Sequence, residues 1–117
     1  MEPIYLEPSN SIRWQKKAVV LTNRRSYSAT NDFVNTMRQF PNVTTMGDTT
    51  GGGSGLPFSS EIPNGWSIRF SASPMFDPDM NQLEFGIEPD VKVDMTSEDM
   101  QQGKDTIIET AIKKLKN

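Results

Sequence analysis

A short apolar run, a helical stripe and a second short apolar run constrain this chain more than any other feature. Ala18-Val19-Val20-Leu21-Thr22 is β-rich and apolar on both faces, which predicts a strand buried in a parallel sheet. In the segment that follows, Phe33, Met37 and Phe40 fall at i, i+4 and i+7. That spacing is one helical stripe, and Pro41 stops it. Val43-Thr44-Thr45-Met46 reads as a second strand. Strand, helix and strand within roughly 30 residues predict a right-handed parallel β-α-β unit.

The remaining segments fit around that unit. Residues 1–15 read as an extended lead-in, because Pro3, Pro8 and Asn10 discourage helix. Phe58 to Ile62 and the alternating run Trp66 to Ala72 flank Pro63-Asn64-Gly65, a hairpin signal. The alternation puts Ser67, Arg69 and Ser71 on one face of the second run and Trp66, Ile68, Phe70 and Ala72 on the other. Val91-Lys92-Val93 is the expected last strand. Thr96-Ser97-Glu98-Asp99 resembles a capping box, and Gly103 soon interrupts it. From Lys104 to Leu115, the positions Ile108, Ala111, Ile112 and Leu115 predict an amphipathic closing helix. The expected architecture is therefore α/β, with a small parallel sheet, a β-hairpin and a C-terminal helix. It forms a single segment: a lead-in over 1–15, a core over 16–93 and a closing helical region over 94–117.

Composition excludes whole classes of chemistry. The chain of 117 residues has no Cys and no His. Disulfides, thiolate metal sites, a self-contained Ser-His-Asp triad and ordinary zinc or haem ligation are all ruled out, so neither a metal nor a cofactor is expected. At 34% hydrophobic residues, the core is thin for a free-standing domain. The net charge is −3. Basic residues gather before residue 40 and acidic ones over 84–109, but the basic third is too sparse for a nucleic-acid footprint. No apolar run approaches the ~20 residues of a membrane span.

Three constellations could carry chemistry. In the turn Ser26-Tyr27-Ser28-Ala29-Thr30, a serine stands at the carboxyl edge of the predicted sheet, where α/β proteins bind ligands. The amide of Ala29 and the helix dipole could stabilise an oxyanion beside it. The alternative is that Ser26, Ser28 or Thr30 merely caps the helix. The glycine-rich loop Gly47 to Gly55 could bring backbone amides close to a substrate; Gly51, Gly52, Gly53 and Ser54 are its candidate binding residues. It lacks the lysine of a phosphate-binding P-loop, and the plainer reading is a mobile connection. Asp77, Asp79, Asn81 and Glu88 have the spacing of calcium ligands. However, Gln82 stands where a glycine is needed and Pro78 sits inside, so a surface turn is the better reading.

The strings VVLTNRRSYSATNDFVNTM, MGDTTGGGSG and GIEPDVKV together resemble the C-terminal half of the catalytic domain of tail-specific (C-terminal processing) serine peptidases, closest to their tricorn-like branch. The resemblance implies a partial crotonase/ClpP-like ββα fold and a nucleophile at Ser28. In the processing peptidases a lysine in the glycine loop is the base, and by spacing that position is Gly53 here. In the tricorn-like branch an upstream histidine takes the proton, supported by a serine and a glutamate. Glu84 is the candidate for that carboxylate. The position three after the nucleophile, often acidic in the family, is Asn31. The family's second oxyanion donor lies in an Asn-x-Gly-Gly segment that this chain lacks.

The resemblance thus implies the C-terminal portion of a serine endopeptidase acting through an acyl-enzyme on Ser28. The partners it implies are a peptide or protein substrate and an upstream part of the same chain that supplies the base. It also implies export to the cell envelope or periplasm, and an isolated piece without activity. Non-catalytic modules of the same fold give the competing expectation, a ligand- or peptide-binding domain. A structural or oligomerisation role is a third.

Overall fold

The structure is a computed structural model that describes residues 3–116. Met1, Glu2 and Asn117, at the ends of the expected lead-in and closing region, lie outside the described residues. β1 (Ala18–Thr22), α1 (Ala29–Met37) and β2 (Val43–Gly47) form the expected unit, with β1 and β2 parallel from Ala18↔Val43 to Thr22↔Gly47. β5 (Val91–Lys92) joins the other side of β2, also parallel, at Met46↔Val91 and Gly47↔Lys92. The sheet order is β1-β2-β5. β3 (Pro57–Glu61) and β4 (Ser67–Ser71) form a separate antiparallel hairpin. α2 (Ser97–Gln101) and α3 (Thr106–Lys116) follow. α1 packs on β1, while α3 packs on β1 and β2. Among the described residues no helix is long and apolar enough to cross a membrane.

Local chemistry sets most element ends. The Thr96 hydroxyl accepts from Asp99 N at 3.1 Å, as the capping-box reading requires. α3 starts at Thr106 and not at Lys104, because Asp105 caps it, its carboxylate accepting from the amides of Ile107 and Ile108 at 2.9 and 3.0 Å. In the hairpin, Gly65 has φ 82° and donates to Ile62 O at 2.8 Å, closing the turn at the Asn-Gly signal.

The central strand is latched by a side chain distant in sequence. Asp90 Oδ2 accepts from Thr45 N at 2.7 Å and from Thr45 Oγ1 at 2.8 Å. Thr45 Oγ1 in turn accepts from Asp90 N at 2.9 Å. Thr45 is fully buried while Asp90 is exposed, so these bonds are shielded from water on one side only. The aspartate of Gly86-Ile87-Glu88-Pro89-Asp90 thus fixes where β5 meets β2.

Burial departs from the sequence expectation in three places. β1 is an edge strand and only half-buried, with Leu21 43% exposed. The expected α1 stripe does not form the buried face: Phe33 is exposed, Met37 is half-buried and Phe40 lies exposed beyond the helix end, while the buried positions are Asn31 and Val34. In α3 only Ala111 of the expected stripe is buried, while Ile108, Ile112 and Leu115 are exposed. The apolar spacing was helical in both helices, but the core lies on a neighbouring face. That core is small: Val34, Leu83 and Ile87, with Val20 and Met75 against them. Both faces of β4 are exposed as well, and the rings of Phe58 and Phe70 meet at a tilt with centroids 5.6 Å apart. The radius of gyration is 17.7 Å, against about 13 Å for a compact chain of this length. Replacing Thr45 with Val should lower the unfolding free energy by about 1–3 kcal/mol in urea titrations, because two hydrogen bonds to Asp90, one of them to its charged carboxylate, are lost at a part-buried contact; an unchanged midpoint would contradict the latch.

Candidate active site

Ser28 stands where the chain leaves the sheet edge for α1. Its backbone has φ 58° and ψ −123°, a conformation that L-residues avoid because Cβ crowds the backbone. Two bonds hold it there: Ser28 N donates to Gly52 O at 2.7 Å, and Ser28 O accepts from Asp32 N at 3.1 Å. Ser28 occupies the N-cap position, yet its hydroxyl makes no capping bond. Ser26 Oγ is engaged elsewhere, accepting from Asn23 N at 3.2 Å. The capping alternative therefore does not describe this turn. Ser28 is exposed, and the Ala29 amide beside it donates to no acceptor among the described residues.

The glycine loop is anchored on both sides. Gly51 N donates to Ser26 O at 2.9 Å toward the serine turn, while Thr50 N and Gly53 N donate to Ile87 O and Glu84 O at 3.0 and 2.9 Å on the other side. This makes the loop a fixed ribbon and not a loose connection. Side chains would break it. A Cβ on Gly52 would lie 2.0 Å from Glu84 O, and one on Gly53 would fall 2.2 Å from the Tyr27 ring. The Tyr27 ring fills the space that a side chain at Gly53 would need.

A buried polar relay clamps the same pieces. Asn31, fully buried, donates through Nδ2 to Ser54 Oγ at 2.7 Å and to Leu83 O at 3.0 Å. Its Oδ1 accepts from Thr50 Oγ1, and that hydroxyl accepts from Ile87 N at 2.7 Å. Ser54 Oγ donates to Asp32 Oδ1.

Ser28 faces a cavity of about 360 Å³. Tyr27 and Gly53 line it from the turn and loop, Pro57, Arg69, Phe70 and Ser71 from the hairpin, and Glu84 from the segment leading to β5. Ser71 Oγ donates to Glu84 Oε1 at 2.7 Å. The structure thus brings Ser28, Gly53 and Glu84 together, with the Ala29 amide next to Ser28. Gly51 and Gly52 bond the serine turn through their backbone and do not line the cavity, and Ser54 is buried in the relay. Sequence reasoning singled out none of Ser71, Tyr27 and Arg69 as site residues. The alternation of β4 had already set Arg69 and Ser71 on one face; their alignment with Glu84 needed the hairpin's position.

The Asp77 loop satisfies itself. Its carboxylate accepts from Asn81 Nδ2, Asn81 N and Asp79 N at 3.0, 2.8 and 3.0 Å. Burial works against ionisation, but these bonds, aided by the Arg38 charge, hold the carboxyl below its ordinary value.

Comparisons with known proteins identify the family and the fold. The model for Peptidase family S41 matches residues 3–93, and the chain belongs to that family. The crystal structure of a protein from Parabacteroides merdae described as a peptidase is 64% identical, with a TM-score of 0.93, over 97% of this chain and 36% of that one. The chain therefore spans about a third of that relative's length. Mature CPAF complexed with lactacystin superposes with a TM-score of 0.73 at 19% identity, over 91% of this chain and 21% of that one. The tricorn protease gives 0.69 at 22%, over 86% and 11%. These two show the shared α/β fold. No match is found among curated proteins.

Two measurements probe this scaffold. Gly53→Ala should destabilise the protein through both the positive φ of 74° and the ring contact, and Tyr27→Ala should relieve only the second. A double-mutant cycle should therefore show coupling, and additive effects would contradict the close approach. For Asp77, a folded pKa below 3.8 means stability that is complete above that value and lost as pH falls through the folded one. The stability gap between wild type and Asp77→Ala should accordingly narrow below pH 3.8; a gap independent of pH would count against it.

Proposed function

We propose that this chain carries the nucleophile side of a serine peptidase site and takes part in peptide-bond hydrolysis through an acyl-enzyme on Ser28. One observation carries the reading: an exposed serine held in a strained strand-to-helix turn, its hydroxyl free of any capping bond, facing a cavity. Strain of this kind is stored where a scaffold presents a reactive group. The hydroxyl would attack the substrate carbonyl, and the Ala29 amide at the start of α1 would hold the developing oxyanion. The Ser71–Glu84 pair in the same cavity would orient and offset the charge of a protonated base.

That base comes from outside these residues. The chain has no histidine, and the Tyr27 ring leaves no room for a side chain at Gly53. The region of the longer relative that this chain does not match is the source we assign to it. A serine without its base is a weak nucleophile at its own pKa, so the 117-residue chain alone should be essentially inactive.

A fluorophosphonate probe tests the assignment. It should label the full-length protein at Ser28, and Ser28→Ala should abolish labelling and lower kcat by several powers of ten, roughly 10⁴ or more. A folded full-length protein that neither labels nor hydrolyses peptides would instead favour a non-catalytic binding module.

A further inference from the structure

Arg69 projects from β4 as the only cation lining the cavity among the described residues, and it makes no ion pair or side-chain hydrogen bond there. Its cross-strand partner is Ser59, and its neighbours on the same face are Ser67 and Ser71. None of these can neutralise a guanidinium. Glu61, diagonal to it across the hairpin, lies beyond ion-pair distance. Glu84, the one carboxylate lining the cavity among the described residues, forms no ion pair with Arg69 either. Tyr27 and Phe70 supply apolar surface in the same cavity, although both rings, like Arg69, are largely open to solvent.

A planar guanidinium offers two parallel N–H donors that match a carboxylate. We propose that Arg69 is a specificity-determining residue that selects peptides carrying a carboxylate close to the bond cleaved at Ser28. The inference rests on the reading of Ser28 as the nucleophile. The shared chemistry is the carboxylate, which an Asp or Glu side chain or a free chain terminus could supply.

Full-length protein with Ser28→Ala would be titrated with three matched fluorescent peptides: a neutral one with an amidated end, the same with one Glu, and the neutral one with a free C-terminal carboxylate. At least one carboxylate peptide should bind about tenfold more tightly than the neutral peptide, the lower end for a charge-assisted bond at a partly exposed site. The Glu peptide and the free-terminus peptide show which source is read. Adding Arg69→Gln should bring that ratio close to one, Arg69→Lys should retain part of it, and Arg69→Glu should reverse it toward a Lys-containing peptide. With the active protein, kcat/KM ratios for the same peptides should follow the binding ratios. Equal binding of all three peptides, or a preference that survives Arg69→Gln in a folded variant, would overturn the assignment. Arg69-dependent binding without hydrolysis of any peptide would sink the peptidase reading and leave carboxylate recognition standing. Hydrolysis without a carboxylate preference would sink Arg69 alone.

Discussion

The buried carboxamide of Asn31 holds three separate pieces of chain in register, and the site depends on that contact. Its donors and acceptor reach Ser54 and Thr50 of the glycine loop and Leu83 of the segment that leads to β5. Thr50 then accepts from Ile87 N, and Ser54 donates to Asp32. Leaving such a buried group unsatisfied costs about 1–3 kcal/mol per partner, so the relay holds only when all three pieces are in place. Each piece carries a cavity-lining residue a few positions away: Ser28 before Asn31, Gly53 before Ser54 and Glu84 after Leu83. The apolar core is too small to fix these positions by packing alone; hydrogen bonds take over that task.

The strained backbone of Ser28 is kept by the same arrangement. A left-handed conformation in a non-glycine residue costs of order 1–3 kcal/mol, offset here by the bonds to Gly52 and Asp32. The glycines make this possible because the loop passes within backbone contact of both the serine turn and the Glu84 segment. The space a loop side chain would fill is occupied by the Tyr27 ring. One aromatic residue thus lines the cavity and closes Gly53 to any side chain.

Much apolar surface stays uncovered: Phe33 on α1, Phe58 and Phe70 on the hairpin, and Ile108, Ile112 and Leu115 on α3. In those elements helical or alternating spacing was legible in the sequence, because amphipathic patterning follows the period of the element. Which face meets this chain's own core was not legible. Asn31, polar and unremarked by any hydropathy pattern, occupies the buried face of α1. Its burial follows from the loop and the 83–87 segment arriving from elsewhere in the chain.

The sequence by itself determined the order of elements, the hairpin turn at Asn64-Gly65, the cap at Thr96, the exclusion of thiol and imidazole chemistry, and the family through three short motifs. These are local properties, written in periodicity, turn residues and composition. Only the tertiary structure decided that Ser28 is strained and uncapped, that Ser54 belongs to the scaffold, and that Ser71 and Arg69 share a cavity with Glu84. Each depends on contacts between residues far apart in the chain, and a single strand of sequence carries no record of which distant backbone will supply the partner.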